Sequence, residues 1–405
     1  MAERGLSVVG PYRELFSRPG VRGFVISGLI GRMPMSMLGL SIVLLIETLT
    51  GSYGMAGAVA ATVNVSYAVA APLIGRLVDR FGQARVIVPL ILTHGAALAS
   101  LMLCVEFGAP DWTLFAAGVV IGGTAVPLGS LVRTRWSHLL DGSQQLHTAF
   151  SFESVADELV FVAGPALATA LATMVSPYAG LIVTLACAVG GTLAFAMQRA
   201  TEPPIRTGEK HSGTPITIPG IALLSCVFLA MGATFGSVDL ITVAFAEEHG
   251  VKPAAGLLLA AIASGSLISG LWYGARRWKA SLRSRFVRAL GLFAVGMTPI
   301  ALIGDVWVMA VALFLAGLAI SPTIIAGYAL IERLVPAHLL TEGMTWLSTA
   351  IGFGVSLGVW AGGWLTDAFG ASNAYAFSLG SALLAVVIGL AGSVWLRTPV
   401  ARQES

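Results

Sequence analysis

The sequence predicts an all-α membrane protein, with twelve transmembrane helices arranged as two pseudo-symmetric six-helix halves. Three observations lead there: apolar runs of spanning length, basic residues gathered at alternate ends of those runs, and a pattern in the first half that returns in the second. Of the 405 residues, 56% are hydrophobic and only 11% are charged, against roughly 25% charged in a soluble domain. Mean hydropathy is +0.86. The 48 glycines follow no collagen-like period and suit helices that approach closely in lipid. Cys104, Cys187 and Cys226 all sit in apolar runs without metal-ligand spacing, and an odd, buried set argues against a disulfide framework. The sequence has no basic, aromatic-interleaved stretch of the kind nucleic acid requires. Its polar start and long first apolar run do not read as a cleavable signal.

A span needs about 20 mostly apolar residues. The stretches that qualify are 24–46, 54–74, 86–106, 112–132, 155–175, 178–198, 218–245, 255–275, 287–304, 306–330, 344–365 and 373–396. Connections are short except for 199–219, which is rich in Pro, Gly, Thr and charge. It divides the chain into a first half, 1–198, and a second half, 220–405. With the N-terminus inside, all but two of the 23 basic residues fall on inner segments, the exceptions being Arg32 within a span and Lys252 outside. The outer loops carry Glu106, Asp111, Glu247, Glu248, Asp305 and Asp367. This alternation is the positive-inside pattern, and it predicts a multi-pass protein of the plasma membrane with both termini cytoplasmic. The repeat lies in spans 4 and 10: Trp112, Gly122 and Pro127 return at the same spacing as Trp307, Gly317 and Pro322.

Span 1 carries Arg32, followed by Pro34. Arg32 lies about 12 Å along the helix, where a charge costs about 2.5–3.5 kcal/mol on insertion scales. It therefore faces a cavity or a partner, or snorkels to the inner surface. Pro34 is expected to open the helix locally. In span 2, Asn64 and Tyr67 either touch substrate or bond a neighbouring helix. The sequon Asn64-Val65-Ser66 falls inside the span.

Between spans 2 and 3 stands Gly75-Arg76-Leu77-Val78-Asp79-Arg80-Phe81-Gly82, which reads as a tight charged hairpin with a glycine at each end. Gly75, Leu77, Asp79, Arg80 and Gly82, with Arg85 displaced from a basic pair, resemble the G-x-L-x-D-R-x-G signature of the major facilitator superfamily. Gln83 and Ala84 stand where that family has its basic residues. The resemblance implies a twelve-helix bundle and transport by alternating access, the two parallel halves rocking about a central site near the midplane. It also implies that Asp79 latches the cytoplasmic side against the start of span 11, about Thr341–Met344.

His94 in span 3 reads as an interhelical hydrogen-bond partner. At the inner end of span 5, Glu153, Asp157 and Glu158 cluster, and the first two share a helix face. Two readings stand: stabilisation of the helix start by its dipole, with Arg133 and Arg135 as partners, or proton handling by paired acids. Arg32 is a further expected neighbour. Gly164-Pro165 in mid-span resembles part of the glycine-proline element of proton-coupled exporters, a helix bend against which neighbours pack. Ala168 stands where those exporters often have glycine, and the arginine they often carry in span 4 is replaced near Gly118. In span 7, Asp239 is placed roughly 13 Å above Arg32, beyond an easy direct bridge. It either contacts substrate or a water chain, or pairs with a hydroxyl such as Thr242. Gly354-x-Ser356-x-Gly358 matches a hydrolase motif that needs a strand-turn-helix setting, but within span 11 it reads as a small-residue packing stripe. Trp272, Trp346 and Trp360 read as interfacial or packing residues.

The expected function is proton-coupled export of a small organic molecule such as a drug or metabolite. Uptake of a sugar or another polar nutrient is the alternative, and a non-transporting receptor or scaffold a third. Expected partners are the substrate, protons and the bilayer, with the chain acting as a monomer. No cofactor, metal or enzymatic activity is expected.

Overall fold

The computed structural model describes residues 9–50, 53–140, 145–205, 214–251, 254–276 and 278–396. The middle of the 199–219 linker therefore lies outside the described residues, as do Arg4, Lys252, Arg277, Arg397 and Arg402. All regular structure among them is helical. In chain order the helices are α1 (Val9–Phe16), α2 (Val21–Arg32), α3 (Pro34–Thr50), α4 (Tyr53–Phe81), α5 (Gln83–Glu106), α6 (Asp111–Thr124), α7 (Leu128–Leu139), α8 (Gln145–Met174), α9 (Ala179–Met197), α10 (Pro219–Glu248), α11 (Ala255–Ala275), α12 (Leu282–Met297), α13 (Val306–Gly317), α14 (Ile320–Leu334), α15 (Leu340–Phe369) and α16 (Ala371–Ala391).

Eleven helical stretches among the described residues are long and apolar enough to cross a membrane. Three of them are broken helices: α2–α3, α6–α7 and α13–α14. The expected ninth span, 287–304, falls short. It is α12, which has 16 residues and ends at Met297 before a 3-10 turn over Pro299–Leu302. Pro299 supplies no N–H to continue the α-helical ladder, and Thr298, still at φ −60° and ψ −48°, leads into the 3-10 turn.

Three expectations are corrected. The Gly75–Gly82 stretch is no hairpin, because α4 stays helical through Phe81 and the whole turn is Gly82, at φ 89° and ψ 154°. A β-carbon is disfavoured at that φ, so glycine is needed there. Arg133 and Arg135, counted in the sequence among the residues of an inner segment, lie inside helix α7 and are buried. Among the described residues α8 begins at Gln145, more than two turns before Glu153. The dipole effect fades within the first turn, so the acids of span 5 do not stabilise a helix start.

The chain forms two compact units. One comprises Met1–Glu14, Gly142–Val155 and Ser212–Ser405, and the other Leu15–Asp141 and Ala156–His211. In the latter, α3, α4, α5, α6 and α9 close on Ile42, Leu45, Val59, Leu98, Ile121 and Leu181. In lipid such a core is held by close packing and interhelical hydrogen bonds. One such bond is made by His94. At the end of α6 the N–H of Ala125 turns to Gly122 O at 3.3 Å, leaving Ile121 O without its helical donor. The buried His94 Nδ1 lies 2.9 Å from that carbonyl and donates to it, as the sequence reading expected.

In the other unit, α10 lies against α15 and α16, tied to α16 by Ser237 Oγ to Ser378 Oγ at 2.7 Å and Thr242 Oγ1 to Tyr375 OH at 2.8 Å. The C-terminal end of α11 has carbonyls that the helix cannot satisfy. Side chains from earlier in the chain cap them: His147 Nε2 on Tyr273 O at 3.0 Å, and Thr148 Oγ1 on Gly274 O at 2.8 Å. Tyr12 OH donates to Leu271 O at 3.1 Å. Burial pushes the Tyr12 hydroxyl up to about 12, so it remains a donor at physiological pH.

The repeat has a physical content. A Cβ on Gly122 would lie 2.1 Å from Val63 O on α4, and one on Gly317 would lie 2.1 Å from Ile262 O on α11. Each half therefore uses a glycine at the same register to bring its fourth span onto the backbone of its second. Trp112 and Trp307 open their helices exposed, as interfacial anchors do.

Candidate functional site

Two arginines and an acid meet inside the Leu15–Asp141/Ala156–His211 unit. Arg32 is the last residue of α2, where Pro34 interrupts the span and Met33 N–H turns to Ile30 O at 3.1 Å. Its Nε donates to Gly28 O at 3.1 Å and its Nη1 to Asp157 Oδ1 at 2.7 Å. Arg133 stands on α7, after the break at Pro127. It donates from Nη1 to Gly129 O at 3.2 Å and from Nη2 to Asp157 Oδ2 at 2.7 Å. The arginine side chains are 1% and 3% exposed, whereas that of Asp157 is 22% exposed. Each carboxylate oxygen thus takes one short charge-assisted bond, and the trio keeps one positive charge. Breaks in spans 1 and 4 bring both arginines to α8.

Glu153 is fully buried one turn earlier on α8, and Glu158 is half-buried. Of the acids that the sequence grouped, Asp157 takes a 2.7 Å bond from each of Arg32 and Arg133. Arg135, expected with them, is elsewhere. Its guanidinium donates to Gln83 Oε1 at 2.8 Å, Gln198 O at 2.9 Å and Thr201 Oγ1 at 2.8 Å, and lies 3.7 Å from the Phe195 ring centre. Glu202 Oε1 accepts from Ala84 N–H at 2.9 Å, satisfying one free donor at the start of α5. Gln83 looks in the sequence like the loss of a basic residue. In the fold it is the acceptor for a cation from another helix, and no local spacing signals that.

Gly164 marks the crossing of α8 and α3. A Cβ there would lie against Ser36 Oγ, which donates to Val160 O at 2.8 Å. Pro165, the next residue, has no N–H to continue the helical ladder. Asn64 is exposed on α4 and makes no hydrogen bond among the described residues. In the motif, Gly75 is buried, Leu77 exposed, Asp79 half-buried, and the Arg80 guanidinium lies 5.0 Å from the Phe81 ring centre.

Asp239 belongs to the unit containing α10–α16 and stands two-thirds along α10. Its side chain is exposed between buried Val238 and Ile241. Thr242, a candidate partner from the sequence, is engaged by Tyr375. Among the described residues no hydrogen bond or ion pair reaches Asp239. It is a carboxylate within a span with no partner among the described residues.

The profile described as Major Facilitator Superfamily matches residues 24–292 and, in a second overlapping stretch, 223–405. Over 104 residues the chain is 33% identical to the uncharacterized MFS-type transporter YfkF of Bacillus subtilis (strain 168); the match spans 25% of each chain. Among solved structures, a bacterial homologue of the iron transporter ferroportin in its outward-facing state aligns with a TM-score of 0.70 at 18% identity, over 93% of this chain and 100% of that one. The human organic anion transporter MFSD10 (TETRAN) aligns at 0.66 and 16%, over 92% and 100%. The proton:xylose symporter XylE aligns at 0.68 and 13%, over 93% and 95%. At these identities the likeness is one of fold.

Proposed function

This chain belongs to the Major Facilitator Superfamily, and on that premise we propose that it is a proton-coupled exporter of a small organic compound, a drug or metabolite, working by alternating access. The observation that carries the coupling is Asp239. An ionisable group inside a span is costly and marks a substrate or proton path, and this one is exposed on its helix with no protein partner among the described residues. Asp157 contrasts with it. Its two oxygens are taken by Arg32 and Arg133 at 2.7 Å, so its charge is spent inside the protein and it serves as a fixed post. Asp239 then binds and releases the proton, while Arg32, Asp157 and Arg133 hold spans 1, 4 and 5 together as a rigid body. Asp79 is the latch residue of the same scheme. Two observations support the export direction: the Gly164-Pro165 element, and the apolar side chains that dominate the helices.

The test begins with a thermal-shift screen of the purified protein against antibiotics, sugars and amino acids. A stabilising compound is then followed in energised everted vesicles. Accumulation that an uncoupler abolishes is the expected result. Accumulation unaffected by the uncoupler would remove the proton from the scheme, and accumulation only in right-side-out vesicles would assign uptake.

A further inference from the structure

Residues 276–288 contain Arg276, Arg277, Lys279, Arg283, Arg285 and Arg288 and no acidic residue. Arg276 follows the end of α11, its guanidinium carbon 5.2 Å from the Trp272 ring centre and 5.3 Å from that of Trp278. Arg285, in the first turn of α12, lies over the same Trp278 ring at 5.8 Å and over Tyr273 at 5.6 Å. Arg283 donates to Ser393 Oγ at 2.9 Å and Arg288 to Ser284 Oγ at 2.7 Å. Lys279 is exposed. Among the described residues, no carboxylate pairs with any of these five cations. The buried arginines Arg32, Arg133 and Arg135 of the first half are answered from within, by Asp157 and Gln83, whereas this group has aromatic rings, hydroxyls and carbonyls but no counter-charge.

The exposed faces of the two helices say where the counter-charge comes from. On α11, Ile268, Trp272 and Arg276 follow one another at four-residue spacing and are all exposed, so they form one stripe. On α12, Arg288, Leu292 and Val295 follow at spacings of four and three and are also exposed. Each stripe is apolar along its length and ends in an arginine near the connection between α11 and α12, with Trp272 one turn before Arg276, as residues at a lipid–water interface do. An acyl chain lying along either stripe would carry its phosphate to the arginine at the end of that stripe.

We propose that the α11–α12 turn is a binding site for an anionic phospholipid headgroup, with Arg276, Lys279 and Arg288 as its exposed cations and Trp278 holding Arg276 and Arg285 in place. Basic clusters beside a membrane attract acidic lipids at about 1 kcal/mol, or about fivefold in affinity, per charge.

The test uses the full-length protein in nanodiscs. Lipid retained by the purified protein is read by native mass spectrometry, with phosphatidylglycerol and phosphatidylcholine in competition and with thermal midpoints measured alongside. The wild type is expected to retain phosphatidylglycerol preferentially and to be stabilised by it. The triple variant R276Q/K279Q/R288Q is expected to lose affinity by about a hundredfold at fivefold per charge, with an unchanged midpoint in pure phosphatidylcholine. Arg288→Gln alone, the milder change if the triple variant folds poorly, should lose about fivefold. Equal retention of the two lipids, or variants indistinguishable from wild type, would overturn the proposal. So would equal stabilisation by inorganic phosphate, since the site would then read a free anion rather than a lipid.

Discussion

Asp157→Ala is expected to cost about 3–5 kcal/mol of stability and to abolish transport. The substitution removes the acceptor that takes a 2.7 Å bond from each of two arginines and leaves both guanidiniums in the bundle with their charge uncompensated by it. Their bonds to Gly28 O and Gly129 O persist, but the two short charge-assisted bonds are lost. The Asp157 side chain is 22% exposed, so water reaches part of the gap and the cost should fall toward the lower end of that range. Thermal unfolding in detergent measures it. Replacing all three charges together, as R32M/R133M/D157L, is expected to recover most of the lost stability, because apolar side chains of similar volume need no counter-charge. A triple variant as unstable as Asp157→Ala would mean that the charges are not what holds the site.

The second large effect lies between α10 and α15. A Cβ on Gly236 would sit 2.1 Å from Val355 O, and one on Gly358 would sit 2.1 Å from Ala233 O; Gly232 and Gly354 face Ile351 O and Leu229 O at 2.2 and 2.1 Å. The two helices meet backbone to backbone, each glycine receiving the other's carbonyl. Such contacts suit weak Cα–H···O bonds, and no side chain can be added without parting the helices. Gly236→Ala and Gly358→Ala are each expected to destabilise by about 1–3 kcal/mol. Because one separation relieves both clashes, the double variant should cost less than the sum of the singles. Gly352→Ala is the control on the same helix. Its added methyl would meet nothing within 4 Å, so it should be neutral or slightly stabilising.

Much of this architecture is legible before folding is considered, because lipid imposes length and polarity on every span. The apolar runs, the basic alternation and the Trp112/Trp307 repeat are properties of residue type and spacing. The approach of Arg32 to the acids of span 5 was also foreseeable, since a charge inside a span needs a partner. What the sequence hides is where helices continue. Arg76, Asp79 and Arg80 look like loop residues because they are charged, yet they extend α4 by two turns. Arg133 and Arg135 look alike, two residues apart on α7, but point to different partners, Asp157 and Gln83. The α12 stretch is apolar over 287–304 but ends early at a proline, a local break within a pattern that composition averages over.

In the proposed function, substrate movement is coupled to a proton carried by Asp239. It is tested most directly by Asp239→Asn in proteoliposomes loaded with a compound from the thermal-shift screen. Counterflow exchange needs no net proton movement, whereas accumulation driven by an imposed pH gradient does. The account predicts that the variant keeps exchange near the wild-type rate and loses gradient-driven accumulation. Gradient-driven accumulation equal to that of the wild type would contradict it.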